Sequence, residues 1–193
     1  MSVTYGFYDS YNGDRIYNAE QFSSFYDGLI NDGVYSSIGQ RFYVAASTGM
    51  DITVDTGRAW FNHTWTFNNQ KMVLTVPAAD TVYTRIDAVV IEMNKVERKN
   101  EIKIIQGTPA ETPAKPTMIH NTSVNQYALA YVTVGINATS ILTDNIENVV
   151  GSVETPLITM LNVPGLPAMQ YSTTDITPGV TPLNSGTLYL VYE

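Results

Sequence analysis

Two stretches of the chain each hold a strand with apolar residues on both of its faces, not on one. From Tyr83 to Gly107 the sequence reads YTRIDAVVIEMNKVERKNEIKIIQG. Ile86, Ala88 and Val90 fall on one face of a strand, and Val89, Ile91 and Met93 on the other. A strand apolar on both faces belongs inside a sheet that is covered on both sides. The charged run Lys95 to Asn100 then reads as a hairpin loop, and Glu101 to Ile105 as the return strand with Ile102 and Ile104 inward. The second stretch is Gln126 to Gly135, QYALAYVTVG, where Ala128, Ala130, Val132 and Val134 oppose Tyr127, Leu129 and Tyr131.

Elsewhere the pattern is half-buried. The spacing predicts one helix, capped by Asn18 with Gln21 three residues on. Phe22, Phe25, Tyr26, Leu29 and Ile30 form its apolar stripe, and Asn31-Asp32-Gly33 ends it with Gly33 in the left-handed position. The stripe packs on the chain's own sheet or faces a partner. Arg41 to Ala46 reads as a short strand, and Met50, Ile52 and Val54 alternate with Asp51, Thr53 and Asp55 in the next. Gly57 breaks that strand. Arg58 to Trp65 resumes with Ala59 and Phe61 opposite Trp60, Asn68-Asn69 turns, and Lys71 to Val76 returns. Pro109, Pro113 and Pro116 make Gly107 to Pro116 an extended connection. Ala138 to Leu142 reads as a short strand, and Thr143 to Val150 as a helical turn capped by Thr143 or Asp144. After Gly151, prolines at 156, 164, 167, 178 and 182 leave two ordered pieces, Leu157 to Leu161 and Thr187 to Tyr192. The fold class is therefore mainly β, a β-sandwich or partly closed barrel with one N-terminal helix and an extended C-terminal segment. Its divisions are an N-terminal arm and helix over 1–40, a β domain over 41–151 and a C-terminal extension over 152–193.

Charge and composition narrow the function. The net charge of −8 opposes nucleic acid, whose phosphates would be repelled. Thirteen Tyr with only 15% charged residues favour strands and flat contact surfaces over exposed helices. The absence of Cys excludes disulfides and thiolate-ligated metals. The N-terminus has no basic segment followed by an apolar run, and no window is long enough to cross a bilayer, so folding in a cytoplasm is expected.

Candidate chemistry is sparse. Asp9-Ser10-Tyr11-Asn12-Gly13-Asp14 lacks the terminal Glu of a calcium loop and reads as an Asn-Gly turn. His63 and His120 would need a nucleophile or acid brought beside them, and they read as packed or surface residues. Asp51 and Asp55 share a strand face, as glycosidase carboxylates can, but more simply mark its wet side. Trp60, Trp65, Tyr43 and Tyr83 could form a sugar platform, and core packing is the preferred reading. No catalytic, cofactor or metal residue is assigned. The terminal segments carry Tyr5, Phe7 and Tyr8, and Leu188, Leu190 and Tyr192, too apolar to stay exposed on a lone domain. With Phe22 and Phe25 they are the candidate interface residues.

Several stretches resemble a known family. YGFYDSYNGDRIYNAEQFSSFYDGLINDGV, GRAWFNHTWTFNN, RIDAVVIEMN and EIKIIQGTPA are similar to tail-tip or baseplate proteins of tailed phages and prophages of Gram-positive bacteria. The closing YSTTDITPGVTPLNSGTLYLVYE resembles a tail piece of such prophage products. The similarity spreads over residues 5–110 and 171–193. It implies a non-enzymatic virion component, made in the bacterial cytoplasm, that assembles into a homo-oligomer around the tail axis and contacts other tail or baseplate proteins. A trimer is the favoured symmetry. Relatives with longer C-terminal regions bind or hydrolyse the host surface there. With the chain ending at Glu193, no separate domain of that kind is expected. The alternative is a carbohydrate-binding module that recognises host cell-wall glycans.

Overall fold

The computed structural model describes residues 9–13, 16–26 and 29–158 in full, with the backbone of Met169–Ser172 and Leu188–Val191. Two compact units divide the chain, Met1–Met160 and Leu161–Glu193. In chain order the first holds α1 (Ala19–Ser23), β1 (Gly33–Gly39), β2 (Val44–Ala46), β3 (Asp51–Val54), β4 (Gly57–Phe61), β5 (Thr64–Asn68), β6 (Met72–Thr75), β7 (Arg85–Asn94), β8 (Lys99–Ile105), β9 (Val124–Val134), β10 (Ile146–Asn148) and β11 (Leu157–Ile158). In the second, β12 (Met169–Ser172) and β13 (Leu188–Val191) pair in parallel.

The first unit is a β-sandwich. Its strands run β11-β1-β4-β5, β2-β3-β6 and β10-β9-β7-β8, and all three sheets feed one core. Val34, Ala59 and Phe61 come from the first sheet, Val44, Ile52 and Val54 from the second, and Val89, Ile91, Met93, Leu129 and Val132 from the third. Side-chain amides tie the outer strands of the largest sheet to the others. Asn148 on β10 accepts from Val44 N at 2.8 Å and donates to Val44 O at 2.9 Å. Asn100 on β8 donates to Thr64 Oγ1, Trp65 O and Thr66 Oγ1 of β5 within 3.1 Å. These side chains link the edge strands β10 and β8 to the edge strands β2 and β5.

The doubly apolar β7 behaves as its sequence predicts. Its odd-numbered apolar residues enter the sandwich core, while Ala88 and Val90 meet Ala128, Tyr131, Val149 and Met118 in a second cluster on the outer face. Irregular backbone lids that face. Thr155 is buried and its hydroxyl donates to Ala128 O, and Glu154 accepts from the Tyr131 hydroxyl at 2.8 Å. Burial and the Glu154 carboxylate push the Tyr131 hydroxyl well above its ordinary pKa.

β9 departs from simple alternation. Val89 pairs with Ala130 but Val90 pairs with Ala128, so Leu129 is an extra residue, a β-bulge. Tyr127, Leu129, Ala130 and Val132 consequently share the core face, and Tyr131 joins Ala128 on the outer one.

The buried charged residues among those described, Arg85, Asp87 and Glu92, are paired. Arg85 and Asp87, both on the core face of β7, are buried. Arg85 Nε donates to Asp87 Oδ1 at 2.9 Å, and its Nη atoms donate to Ala78 O and Pro77 O. Asp87 Oδ1 also accepts from Gly107 N at 2.9 Å, and a Cβ on Gly107 would lie 1.9 Å from Ile86 O, so only glycine fits there. Burial pushes the Glu92 carboxyl up, but Lys103 Nζ and Gln126 Nε2, each at 2.7 Å, more than offset it and leave the pKa lowered.

Other expectations are corrected. The helix has its Asn18–Gln21 capping box but runs only to Ser23, followed by a 3₁₀ turn at Ser24–Tyr26. Gly33 does not cap it. It opens β1, where a Cβ would meet Pro156 O at 2.7 Å. Arg41 and Phe42 are in left-handed turn conformations, so β2 starts only at Val44. Gly57 begins β4 because the Phe42 ring lies where its Cβ would be, 2.7 Å away. Arg58 to Trp65 is a hairpin, reversed at Asn62-His63 with φ of 49° and 65°. After Asn68 the chain crosses sheets, since β6 pairs with β3 and not with β5. Residues 138–142 form no strand, although Ile141 is buried and donates its N–H to Gly49 O. At the 3₁₀ turn Thr143–Asn145, neither Thr143 nor Asp144 caps. Asn145 Oδ1 instead accepts from Leu142 N at 2.8 Å.

Candidate interface

On the outer surface of the β11-β1-β4-β5 sheet, aromatic side chains meet one cation. Ala59 and Phe61 point into the core, which turns Arg58 and Trp60 outward. The register then sets Trp65 opposite Trp60 and Phe67 opposite Arg58. Cross-strand partners share a face, so the four side chains form one cluster. The Arg58 guanidinium carbon lies 5.9 Å from the Tyr35 ring centre, 5.5 Å from Trp65 and 5.9 Å from Phe67. This is cation–π distance on three sides. Arg58 Nε is buried with no hydrogen-bond partner among the described residues.

The helix extends this face. Tyr26 stands edge-on to Trp60 at 5.6 Å, and Phe22 and Phe25 stand edge-on to Tyr26 at 6.2 and 5.7 Å. Ring contacts therefore run from α1 to Trp60 on β4, whose register partner on β5 is Trp65. Trp65 is 59% exposed, Phe67 51%, and Phe22 and Phe25 56% each. Phe22, Phe25 and Leu29 thus do not pack into the core. Tyr26 of the stripe rests on the sheet, against Trp60.

Of the interface residues expected from sequence, Phe22 and Phe25 lie on this face. Tyr5, Phe7, Tyr8 and Tyr192 fall outside the described residues, and of Leu188 and Leu190 only the backbone, in β13, is described. The core reading fails for Trp65, Tyr43 and Tyr83, all exposed, and for Trp60, which is half-buried on the outer face against Tyr26. Phe67, Tyr35 and Arg58 were not singled out by sequence reasoning. As one strand, residues 58–65 would send Trp60 and Trp65 to opposite faces. The turn at Asn62-His63 brings them together. Alternation of Trp65 and Phe67 with Thr64, Thr66 and Asn68 was the available signal.

The catalytic candidates do not converge. His63 sits in the hairpin turn with Nδ1 3.4 Å from Ser23 Oγ, while His120 stands edge-on to Tyr127 at 5.2 Å. Asp51 accepts from Thr75 Oγ1 at 2.6 Å, whereas Asp55 pairs with Lys71 at 3.3 Å. The Thr56 N–H, ahead of Lys71, holds the Asp55 carboxyl below its ordinary pKa. Tyr127 stacks on Phe61 at 3.9 Å, donates to Asp32 Oδ2 and accepts from Asn62 Nδ2. Burial, with the Asp32 charge, raises its pKa. This network positions the hairpin turn through Asn62 N, which donates to Asp32 Oδ1 at 3.0 Å. Asn12-Gly13 forms the expected turn with both residues left-handed. Among the described residues no group of His, Cys, Asp or Glu could hold a metal, and no helix is long and apolar enough to cross a membrane. Comparison with protein-family models, curated proteins and solved structures finds no match for the chain.

Proposed function

We propose that the protein is a non-enzymatic structural component of a phage or prophage tail or baseplate, acting through protein–protein assembly with copies of itself and with other tail proteins. The observation that carries the reading is the aromatic face shared by α1, β4 and β5, with four rings at least half exposed. Large apolar patches on a soluble unit mark contact sites. The sequence resemblance over residues 5–110 and 171–193 supplies the tail context. The terminal segments, with Tyr5, Phe7, Tyr8, Leu188, Leu190 and Tyr192, add apolar residues suited to wrapping a neighbour.

The test is the molar mass of the purified chain by light scattering across a concentration series. A defined oligomer is expected, a trimer first. Deleting residues 171–193 is expected to weaken association more than it lowers the melting temperature of the β domain. A second reading, a module for host wall glycans, draws on the exposure of Trp65 and Phe67 around Arg58, since open rings beside a cation can seat a sugar. A chain that stays monomeric at high concentration and binds a wall glycan tightly would replace the first reading with the second.

A further inference from the structure

We infer that the outer face of β1, β4 and β5 is the docking site for a second copy of this chain, in a head-to-tail contact that seats a carboxylate of that copy on Arg58. The inference rests on the assembly reading above and names the surface and the chemistry of the contact.

The first argument is area. Each aromatic ring can bury about 150–250 Å². Trp65, Phe67, Phe22 and Phe25 are each a little over half exposed, so about 400 Å² of ring surface lies open. That lies at the level of the largest patch on an ordinary monomer, about 300–600 Å². It is also about half of the ~800 Å² that each partner of a standard interface buries. Half-buried Trp60, Tyr35 and Tyr26 border it, so a partner of modest footprint completes the remainder.

The second argument is charge. Arg58 is flanked by three rings, and its Nε is buried without an acceptor among the described residues. Sealing this face under an apolar partner would strand a guanidinium, which is costly. A carboxylate delivered by the partner removes that cost and adds a charge-assisted, geometrically specific bond. Arg with Trp and Tyr is also the usual composition of binding hot spots. The chain has 18 acidic residues against 10 Lys and Arg, so every copy carries carboxylates in excess. A twofold contact centred on Arg58 would set Arg58 against Arg58. A different, acidic surface of the next copy gives the complement, and a contact of that kind closes into a ring when the rotation allows.

The experiment uses the full chain and two variants, Trp65→Ala and Arg58→Glu, with association measured by sedimentation velocity and folding by thermal circular dichroism. Trp65 is more than half exposed, so Trp65→Ala is expected to keep the wild-type melting profile, and Arg58→Glu, which gives up its ring contacts, to stay folded with a modestly lowered melting temperature. The expected result is association weakened roughly tenfold or more in each. Wild-type association is also expected to weaken in 1 M salt, where screening shortens to about 3 Å. Arg58→Lys, which keeps the charge, is expected to retain more association than Arg58→Glu and serves if the latter fails to fold. Wild-type chain that associates as strongly as both variants would overturn this inference and leave the assembly reading standing. Loss in Trp65→Ala without loss in Arg58→Glu would overturn the carboxylate contact and with it the inference. A wild-type monomer at high concentration would overturn both.

Discussion

Removing both partners of the Arg85–Asp87 pair should cost far less than the sum of removing each. Each residue is buried, and the pair is bonded at 2.9 Å. Arg85→Met leaves the Asp87 carboxylate with the Gly107 N–H and no cation, and orphans Pro77 O and Ala78 O. Asp87→Leu leaves the guanidinium with two neutral carbonyls. A buried charge stripped of its partner costs about 3–5 kcal/mol. Simple addition would then predict about 6–10 kcal/mol for the double variant. The expected loss is nearer that of one single variant, because Met and Leu fill similar volume and strand no charge. The carbonyls of Pro77 and Ala78 keep that loss above zero. The coupling should therefore be about 3 kcal/mol or more, against a typical total stability of about 5–15 kcal/mol. Urea unfolding followed by circular dichroism and tryptophan fluorescence reads it, with unchanged slopes securing the comparison. Additivity of the two single variants within about 0.5 kcal/mol would refute the reasoning, because it would show that neither charge depends on the other.

Val90 is fully buried on the outer face of β7, so Val90→Asp should cost roughly 3 kcal/mol or more in urea unfolding, and an unchanged midpoint would contradict the lidded second cluster. Phe25 is more than half exposed, so Phe25→Ala should lose no more than about 1–2 kcal/mol, well under the ~3–5 of a core Phe, while association measured by light scattering falls. The folded pKa of Glu92 lies below its ordinary 4.5, so its contribution is present above that pH and is lost as pH falls through the lowered value. Acid unfolding monitored by circular dichroism should therefore be shallower in Lys103→Met than in wild type, and identical acid profiles would exclude the Lys103 contact as the cause.

The doubly apolar strands were legible because burial on both sides leaves a composition that no half-exposed strand has. The same holds for Ala59 and Phe61 opposite Trp60, where period two survives intact. The cap of α1 was legible as well, since Asn18 and Gln21 satisfy each other's backbone within one turn. What stayed hidden depends on distant partners. β1, GVYSSIG, has little apolar alternation and is held by β4 and β11. The Leu129 bulge changes pairing without changing composition. Residues 58–68 read as one strand and a turn because Asn62-His63 lacks the glycine that usually announces a two-residue hairpin. That one missed turn also hid the aromatic face. Phe22 and Phe25 were legible as interface candidates, whereas Trp65, Phe67 and Arg58 required the register.

The Asn148 clasp has a consequence for how the molecule ages. Its side-chain amide stands in for a peptide group, one oxygen accepting and one nitrogen donating to the same residue of β2. Asn148 is itself exposed. Slow hydrolysis of that amide converts it to aspartate, which keeps the acceptor but replaces the donor with a second oxygen aimed at the Val44 carbonyl. A rung of the seam then becomes a repulsion. The β-branched side chain of Val149 slows the cyclisation that leads there, so the β2–β10 seam should outlast a faster site such as Asn12-Gly13 and open only on long storage.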